Sequence, residues 1–423
     1  MHIAKELLYN VSSSNLNRFL SEHNIKNEQK MRYADHRVML EQFIKDGLIT
    51  IEDLNDFFYR ELLYGHHRLM RVYFMSAKSC LKLKHKEGWD ELMRKFQITD
   101  WNYNQIIETI PQRTETIKLA TIQEERIAGE LVRIHLIFVF CMLKDTQSAV
   151  ESECSYLPVT IDLNQRCMIV KVWNQNGLEK DSRPQDQLDL VYHTLQETLG
   201  IEPDKERTVD PQNVLYDMSK ELFNMFFERL PNIKAINEKR QELDGIIDTI
   251  LKNIPLEHVK QKNGKLYMPN GIIDLEEELY KMIQQTALYD YREDHALESL
   301  LPREEKYVSR IRFSDRDNLS ANLTGENGVD CIYDAKTFMC IRDSLDIVKR
   351  IISLTVNFPR DRGALQVKYE ADNYGFLTIH ILDGKYYSET EFQQIWELYK
   401  EYERKRSNQT MYGSSAAVDS KAM

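Results

Sequence analysis

The stretch Thr50–Ser79, TIEDLNDFFYRELLYGHHRLMRVYFMSAKS, constrains the fold of this chain most tightly. It opens like a helix. Thr50 is a cap residue, and Asp53 stands where a capping box usually has Glu or Gln. Glu52, Asp53 and Asp56 complement the positive end of the helix dipole. At about 100° per residue, Leu54, Phe58, Leu62, Leu69 and Val72 share one face. Arg60, Tyr64, His67 and Arg71 share the opposite face, flanked by Leu63, Met70 and Phe74. Read as one helix, the segment is apolar on both sides of a cationic stripe and must be buried. Buried cations need anionic partners. Either Arg60 and Arg71 pair with carboxylates of this chain, or they join His67 in an anion pocket for a phosphate, nucleotide or carboxylate. His66 and His67 are adjacent, so they point to different sides of a helix and do not suit one metal ion.

Composition sets outer bounds. A chain of 423 residues with 15 Gly and 10 Pro has room for two to four domains built on long helices. Its net charge of −11 is unevenly spread: residues 1–150 hold 21 Lys/Arg against 20 Asp/Glu, the remainder 35 against 47. The C-terminal two thirds therefore lack the basic field of a broad nucleic-acid surface, leaving only local basic patches. Cys80, Cys141, Cys154, Cys167, Cys331 and Cys340 form no CxxC pair and mostly sit in apolar runs. That usage fits free thiols in a reducing cytoplasm. The first twenty residues do not read as a secretory signal. The most hydrophobic run, Ile134–Leu143, is too short for a bilayer, which needs about 20 residues. A cytoplasmic protein without a membrane span is expected.

The fold class expected is multidomain α+β. A helical N-terminal domain spans residues 1–150, with a long core helix over Thr114–Leu143. A mixed middle domain spans 151–300. Val159, Ile161 and Leu163, then Met168, Val170 and Val172, alternate with period two and predict a hairpin. Helices follow over Val214–Leu230 and Ile236–Ile254. Asn263-Gly264 then signals a tight hairpin whose tip is crowded by Lys260, Lys262 and Lys265. Helices followed by a basic-tipped hairpin suggest a winged-helix layout, whose tip would meet a phosphate backbone. A solvated lysine-rich turn is the plainer alternative. Residues 301–405 predict a small C-terminal α/β sheet unit, with strands at Tyr307–Phe313, Asp330–Tyr333, Gly363–Tyr369 and Gly375–Leu382. Residues 406–423 predict a disordered tail.

Residues 14–47 resemble a SAP or Rho-N type helix–extension–helix module. Leu16, Phe19, Leu20 and Ile25 have the apolar spacing, and Leu40 and Ile44 complete the core. The resemblance implies contact with nucleic acid through Lys26, Lys30, Arg32 and Arg37. The link Lys26–His36 is longer than in that family and lacks its Gly–Lys-rich turn. A plain helical hairpin is the other reading.

No phosphate-binding glycine loop, HExxH, EF-hand loop or GxSxG elbow occurs in the sequence. A PD-(D/E)xK-like nuclease would use Asp330 ahead of a strand carrying Gln366-Val367-Lys368, with Mg²⁺ as cofactor. Gln in place of Glu weakens such a site, because a neutral amide binds a hard cation less well. With no complete catalytic or metal motif, the function expected is non-enzymatic protein binding, as an adaptor or regulatory subunit needing no cofactor, near nucleic acid if the basic patches are used. The alternative is a metal-dependent nuclease of a defence or restriction type.

Overall fold

The structure is a computed structural model. It describes the chain except residues 1–2, 111–116, 146–149, 175–177, 179–181, 239–241, 243–244, 248, 250–252, 254–259, 263–264, 269–270, 296–304, 315–319, 335, 362, 372–374, 383, 385 and 420–423. In chain order the strands are β1 (Leu69–Phe74), β2 (Ile117–Ile127), β3 (Glu130–Asp145), β4 (Val150–Asp162), β5 (Cys167–Val172), β6 (Lys260–Lys262), β7 (Lys265–Met268), β8 (Gly271–Asp274), β9 (Tyr307–Ser314), β10 (Ser320–Thr324), β11 (Ser353–Pro359), β12 (Ala364–Ala371) and β13 (Leu377–Ile381). The protein is multidomain α+β, and it divides into two compact units. One joins Met1–Val214 to Gln366–Met423, and the other is Leu215–Leu365. Along the chain the second unit is inserted between the two stretches of the first.

The first unit is a sheet in the order β12–β13–β1–β5–β4–β3–β2, its neighbours antiparallel. Hydrophobic clusters pack on both faces. Even-numbered β3 residues Ile134, Leu136, Phe138 and Phe140 pack with Trp89, Leu92, Leu188, Val191 and Leu195. Odd-numbered Ile137 and Val139 pack with Leu16, Phe19, Leu40, Phe43 and Phe58 of the N-terminal helices.

Two expected helices are corrected here. Thr114–Leu143 is not a helix but holds the β2–β3 hairpin, joined through Ala128 (φ 52°) and Gly129 (φ 86°). A two-residue turn with both φ positive matches the twist of its strands. Because residues 136–140 of β3 are buried on both faces, that part reads as a continuous apolar run, and periodicity cannot tell it from a buried helix. The N-terminal 150 residues are therefore mixed rather than helical. Thr50–Ser79 also breaks up: a helix covers Ile51–Leu62, β1 follows, and a further helix covers Ala77–Leu83. The cap is as expected, since Asp53 N–H donates to Thr50 Oγ1 at 3.0 Å and Thr50 N–H to Asp53 Oδ2 at 3.1 Å. Gly65, at φ 73°, ends the helical run. The β4–β5 hairpin lies where period two predicts it. The closing helix Glu389–Asp419 runs through much of the stretch expected as a disordered tail.

In the second unit β10–β9–β11 form an antiparallel set and β6–β7–β8 a small meander. Phe223, Phe226, Tyr333 and Phe338 make an aromatic core with ring centroids 4.5–5.5 Å apart. Lys281 bridges Glu278 and Asp346, at 3.1 and 2.9 Å. The strand expected at Asp330–Tyr333 is instead a 3-10 turn, Ile332–Asp334. The helix expected at Ile236–Ile254 is described through Glu238 and lies largely outside the described residues beyond it.

Candidate functional site

One face of the first sheet is left open where β3, β4 and β5 pass between the Ile51–Leu62 helix and the start of the Glu389–Asp419 helix. The cleft there has a volume of about 490 Å³. Its floor comes from cross-strand partners. Arg133 faces Asp162 and His135 faces Thr160 across β3 and β4. Arg133 Nε donates to Asp162 Oδ2 at 2.8 Å, and its Nη1 to Glu125 Oε1 at 3.2 Å. His135 Nδ1 lies 3.2 Å from Thr160 Oγ1, and its Nε2 lies 3.6 Å from Glu125 Oε2. The His135 and Arg133 contacts hold the Glu125 carboxyl below its ordinary pKa, burial acting the other way.

The walls are aromatic and acidic: Tyr59, Tyr64, Tyr386, Phe392 and Trp396, with Glu61 and Glu389. Tyr64 OH donates to Glu389 Oε1 at 3.0 Å. Glu61 accepts from Tyr386 OH at 2.9 Å and from Asn15 Nδ2 at 2.9 Å. These carboxylates are held by neutral donors, and among the described residues neither has a cation within ion-pairing distance. The Tyr59 phenol is raised well above its ordinary pKa, first by burial and then by the Glu125, Glu389 and Asp56 carboxylates. Behind this wall Lys171, 1 % exposed, donates from Nζ to Leu63 O at 2.6 Å. Its ammonium lies 4.4 Å from the Tyr64 ring centre and 4.1 Å from that of Phe392.

The residues singled out by sequence scatter. Arg60 lines the cleft beside Tyr64. Its Nε donates to Asp56 O at 3.3 Å, and it has no carboxylate partner among the described residues. Arg71 lies elsewhere, on β1 beneath the Pro184–Leu199 helix. It is bound by Asp189, Gln185 and Tyr73 OH and sits 4.6 Å from the Phe376 ring centre. Internal pairing therefore accounts for Arg71. His67 is fully buried, its Nδ1 is 3.2 Å from Tyr64 O, and burial pushes its pKa down to about 4. A neutral imidazole does not attract an anion. The helical stripe dissolves because Gly65 separates its members into two kinds of element.

Lys265 Nζ is 3.0 Å from Asp274 Oδ2, so β8 neutralises one of the three hairpin lysines. The side chains of Lys260 and Lys262, and the Asn263-Gly264 tip, lie outside the described residues. Asp330 belongs to the second unit and Lys368 to the first, where Lys368 Nζ pairs with Glu370 at 2.9 Å. Among the described residues no group of three or more His, Cys, Asp or Glu side chains is placed to hold a metal ion. No helix among them is long and apolar enough to cross a membrane.

Sequence reasoning missed Glu125, Arg133, His135, Asp162, Lys171 and Glu389. The one signal was Arg133-Ile134-His135, polar residues two apart, which points to one sheet face only once the segment is known to be a strand. No protein-family model matches this chain, and no curated protein matches it either.

Proposed function

We propose that this chain is a non-enzymatic binding protein, an adaptor or regulatory subunit, that receives a lysine or arginine side chain of a protein partner in the cleft over β3–β5. The observation that carries this reading is the lining: five aromatic side chains beside Glu61 and Glu389, carboxylates whose partners among the described residues are neutral donors. Aromatic faces attract cations, by about 0.5–2 kcal/mol depending on desolvation. A carboxylate at the edge adds a charge-assisted hydrogen bond. The lining carries Arg18, Arg60 and Arg133 against Glu61, Glu125, Asp162 and Glu389, an excess of one negative charge. The cleft is also of the size that encloses a side chain and its flanking atoms, within the about 300–1,000 Å³ usual for ligand pockets.

Calorimetry with a short Lys/Arg-rich peptide and an acidic peptide of equal length tests this. The basic peptide should bind and the acidic one should not. Glu389→Gln, which keeps the shape and removes the charge, should weaken binding about tenfold or more, the worth of a hydrogen bond to a charged group. Equal affinity for the two peptides, or an unchanged affinity in the variant, would remove the cleft as the recognition site.

A second reading concerns the helix–link–helix segment. Leu16, Phe19, Leu20, Ile25 and Leu40 are buried as that module requires, and Lys26 and Arg32 stand exposed. Nucleic-acid binding there would weaken linearly in log–log form with salt, and Lys26→Ala with Arg32→Ala would reduce the slope by about 2. A slope unaltered by these changes would sink it.

A further inference from the structure

Strands β3 and β4 bring two cysteines face to face. Cys141 and Cys154 are register partners, and the register holds without a shift from Arg133↔Asp162 to Asp145↔Val150. Leu163 N–H donates to Val132 O at 3.0 Å, which makes Val132↔Leu163 a hydrogen-bonded pair. Hydrogen-bonded and non-hydrogen-bonded pairs alternate along an antiparallel ladder. Every odd-numbered residue from Arg133 to Cys141 therefore stands in a non-hydrogen-bonded pair, where side chains are closest. Arg133/Asp162 and His135/Thr160 use that proximity for side-chain contacts of 2.8 and 3.2 Å. Cys141/Cys154 is a site of the same kind. Its Cα atoms are expected about 4.5 Å apart, within the about 4.4–6.8 Å that disulfides span. Neither is in a disulfide and both are partly exposed, whereas Cys80, Cys167 and Cys331 are buried.

We propose that Cys141 and Cys154 are a dithiol modification site that closes reversibly into a cross-strand disulfide by exchange with a small disulfide such as oxidised glutathione. The Cys141 thiolate attacks one sulfur of that disulfide. The sulfur–sulfur bond breaks, one small thiolate leaves, and a mixed disulfide remains on Cys141. The Cys154 thiolate then attacks Cys141 Sγ and expels the second small thiolate. Both thiol protons end on the released thiols, so the protein is oxidised by two electrons and the small disulfide is reduced by two. The order follows from the surroundings. Burial, and then the Glu6 carboxylate, push the Cys154 thiol up to about 12, so it is the poorer first nucleophile. Glu6 is held there by accepting the Cys154 N–H at 3.4 Å. In the second step proximity offsets that low thiolate fraction. A sheet holds such Cβ atoms about 4.5–5.5 Å apart, and a disulfide wants about 3.5–4.5 Å. The close end of the sheet's range belongs to non-hydrogen-bonded pairs such as this one, and partial exposure leaves the bond open to a reducing thiol.

The test uses the full-length protein equilibrated with excess oxidised glutathione, quenched in acid, alkylated and mapped by mass spectrometry. The expected product is one intramolecular link between the Cys141 and Cys154 peptides, reversed by reduced glutathione. Cys154→Ser should stop at a single glutathione adduct on Cys141. Full alkylation of both cysteines after oxidation, or a link joining any other pair such as Cys80–Cys167, would overturn the proposal. The wild-type map decides even where the variant does not fold.

Discussion

Lys171 holds an ammonium group out of water with, among the described residues, one hydrogen-bond acceptor, Leu63 O, and two aromatic faces for company. Burial pushes its pKa down from 10.5 to about 7, and Glu389 pulls weakly the other way. His67 nearby has its own pKa pushed down to about 4 and is neutral at neutral pH, and burial raises the Tyr64 phenol well above its ordinary range, so it is neutral too. The sign for stability follows from proton binding. Between pH about 7 and about 10.5 the unfolded chain holds this proton and the folded chain releases it, so stability rises with pH across that window. Below about 7 both states are protonated and the full cost of burying the charge stands. Lys171→Met should therefore stabilise the protein at pH 6 by roughly 1–4 kcal/mol, the range for replacing buried charges by apolar groups of similar volume. The gain should shrink toward pH 10. Urea unfolding at both pH values measures it, and a variant less stable at pH 6 would mean that the aromatic contacts outweigh desolvation.

At the scale of elements, the helix entering the cleft ends because Gly65 takes a left-handed conformation in a crowded place. A Cβ there would lie 3.0 Å from Tyr386 Cε2 and 3.2 Å from Asn10 O and Glu61 O. The same glycine exchanges backbone hydrogen bonds with Tyr387, at 3.0 and 3.2 Å. Gly65→Ala should cost roughly 1–3 kcal/mol, the usual size of such strain, and lower Tm accordingly. An unchanged Tm would show that Tyr386 moves aside at no cost. What the sequence made legible were local signals: the Thr50–Asp53 cap, and the period-two alternation around Asn164-Gln165. It hid β2 and β3, because Ala128-Gly129 is not a strong turn pair and only Arg133 and His135 announce the period of β3 before the apolar run Leu136–Phe140. The cleft was legible only in part for the same reason. Arg60 and Tyr64 were visible as polar neighbours on one helix. Arg133, His135, Asp162 and Lys171 gain meaning only when three strands lie side by side.

At the scale of the molecule, chain order and spatial order part company. β12, β13 and the closing helix complete the sheet begun by β1 and β5, so Glu389, Phe392 and Trp396 meet Tyr59 across more than 300 residues of sequence. Segmenting the sequence consecutively cannot anticipate that. Charge is different, since it adds up whatever the fold, and the net −11 was legible from the start. A field of that sign draws cationic partners in from a distance and is screened over about 10 Å at 0.1 M salt. For a basic peptide bound in the cleft, association should slow about tenfold or more between low and high salt. Dissociation should change far less, because it is governed by short-range contacts with the aromatic wall. Stopped-flow fluorescence reads both rates, with Trp396 in the lining as the reporter. A rate of association indifferent to salt would confine recognition to the cleft alone, and an equal slowing of both rates would mean that the peptide rests on the outer surface.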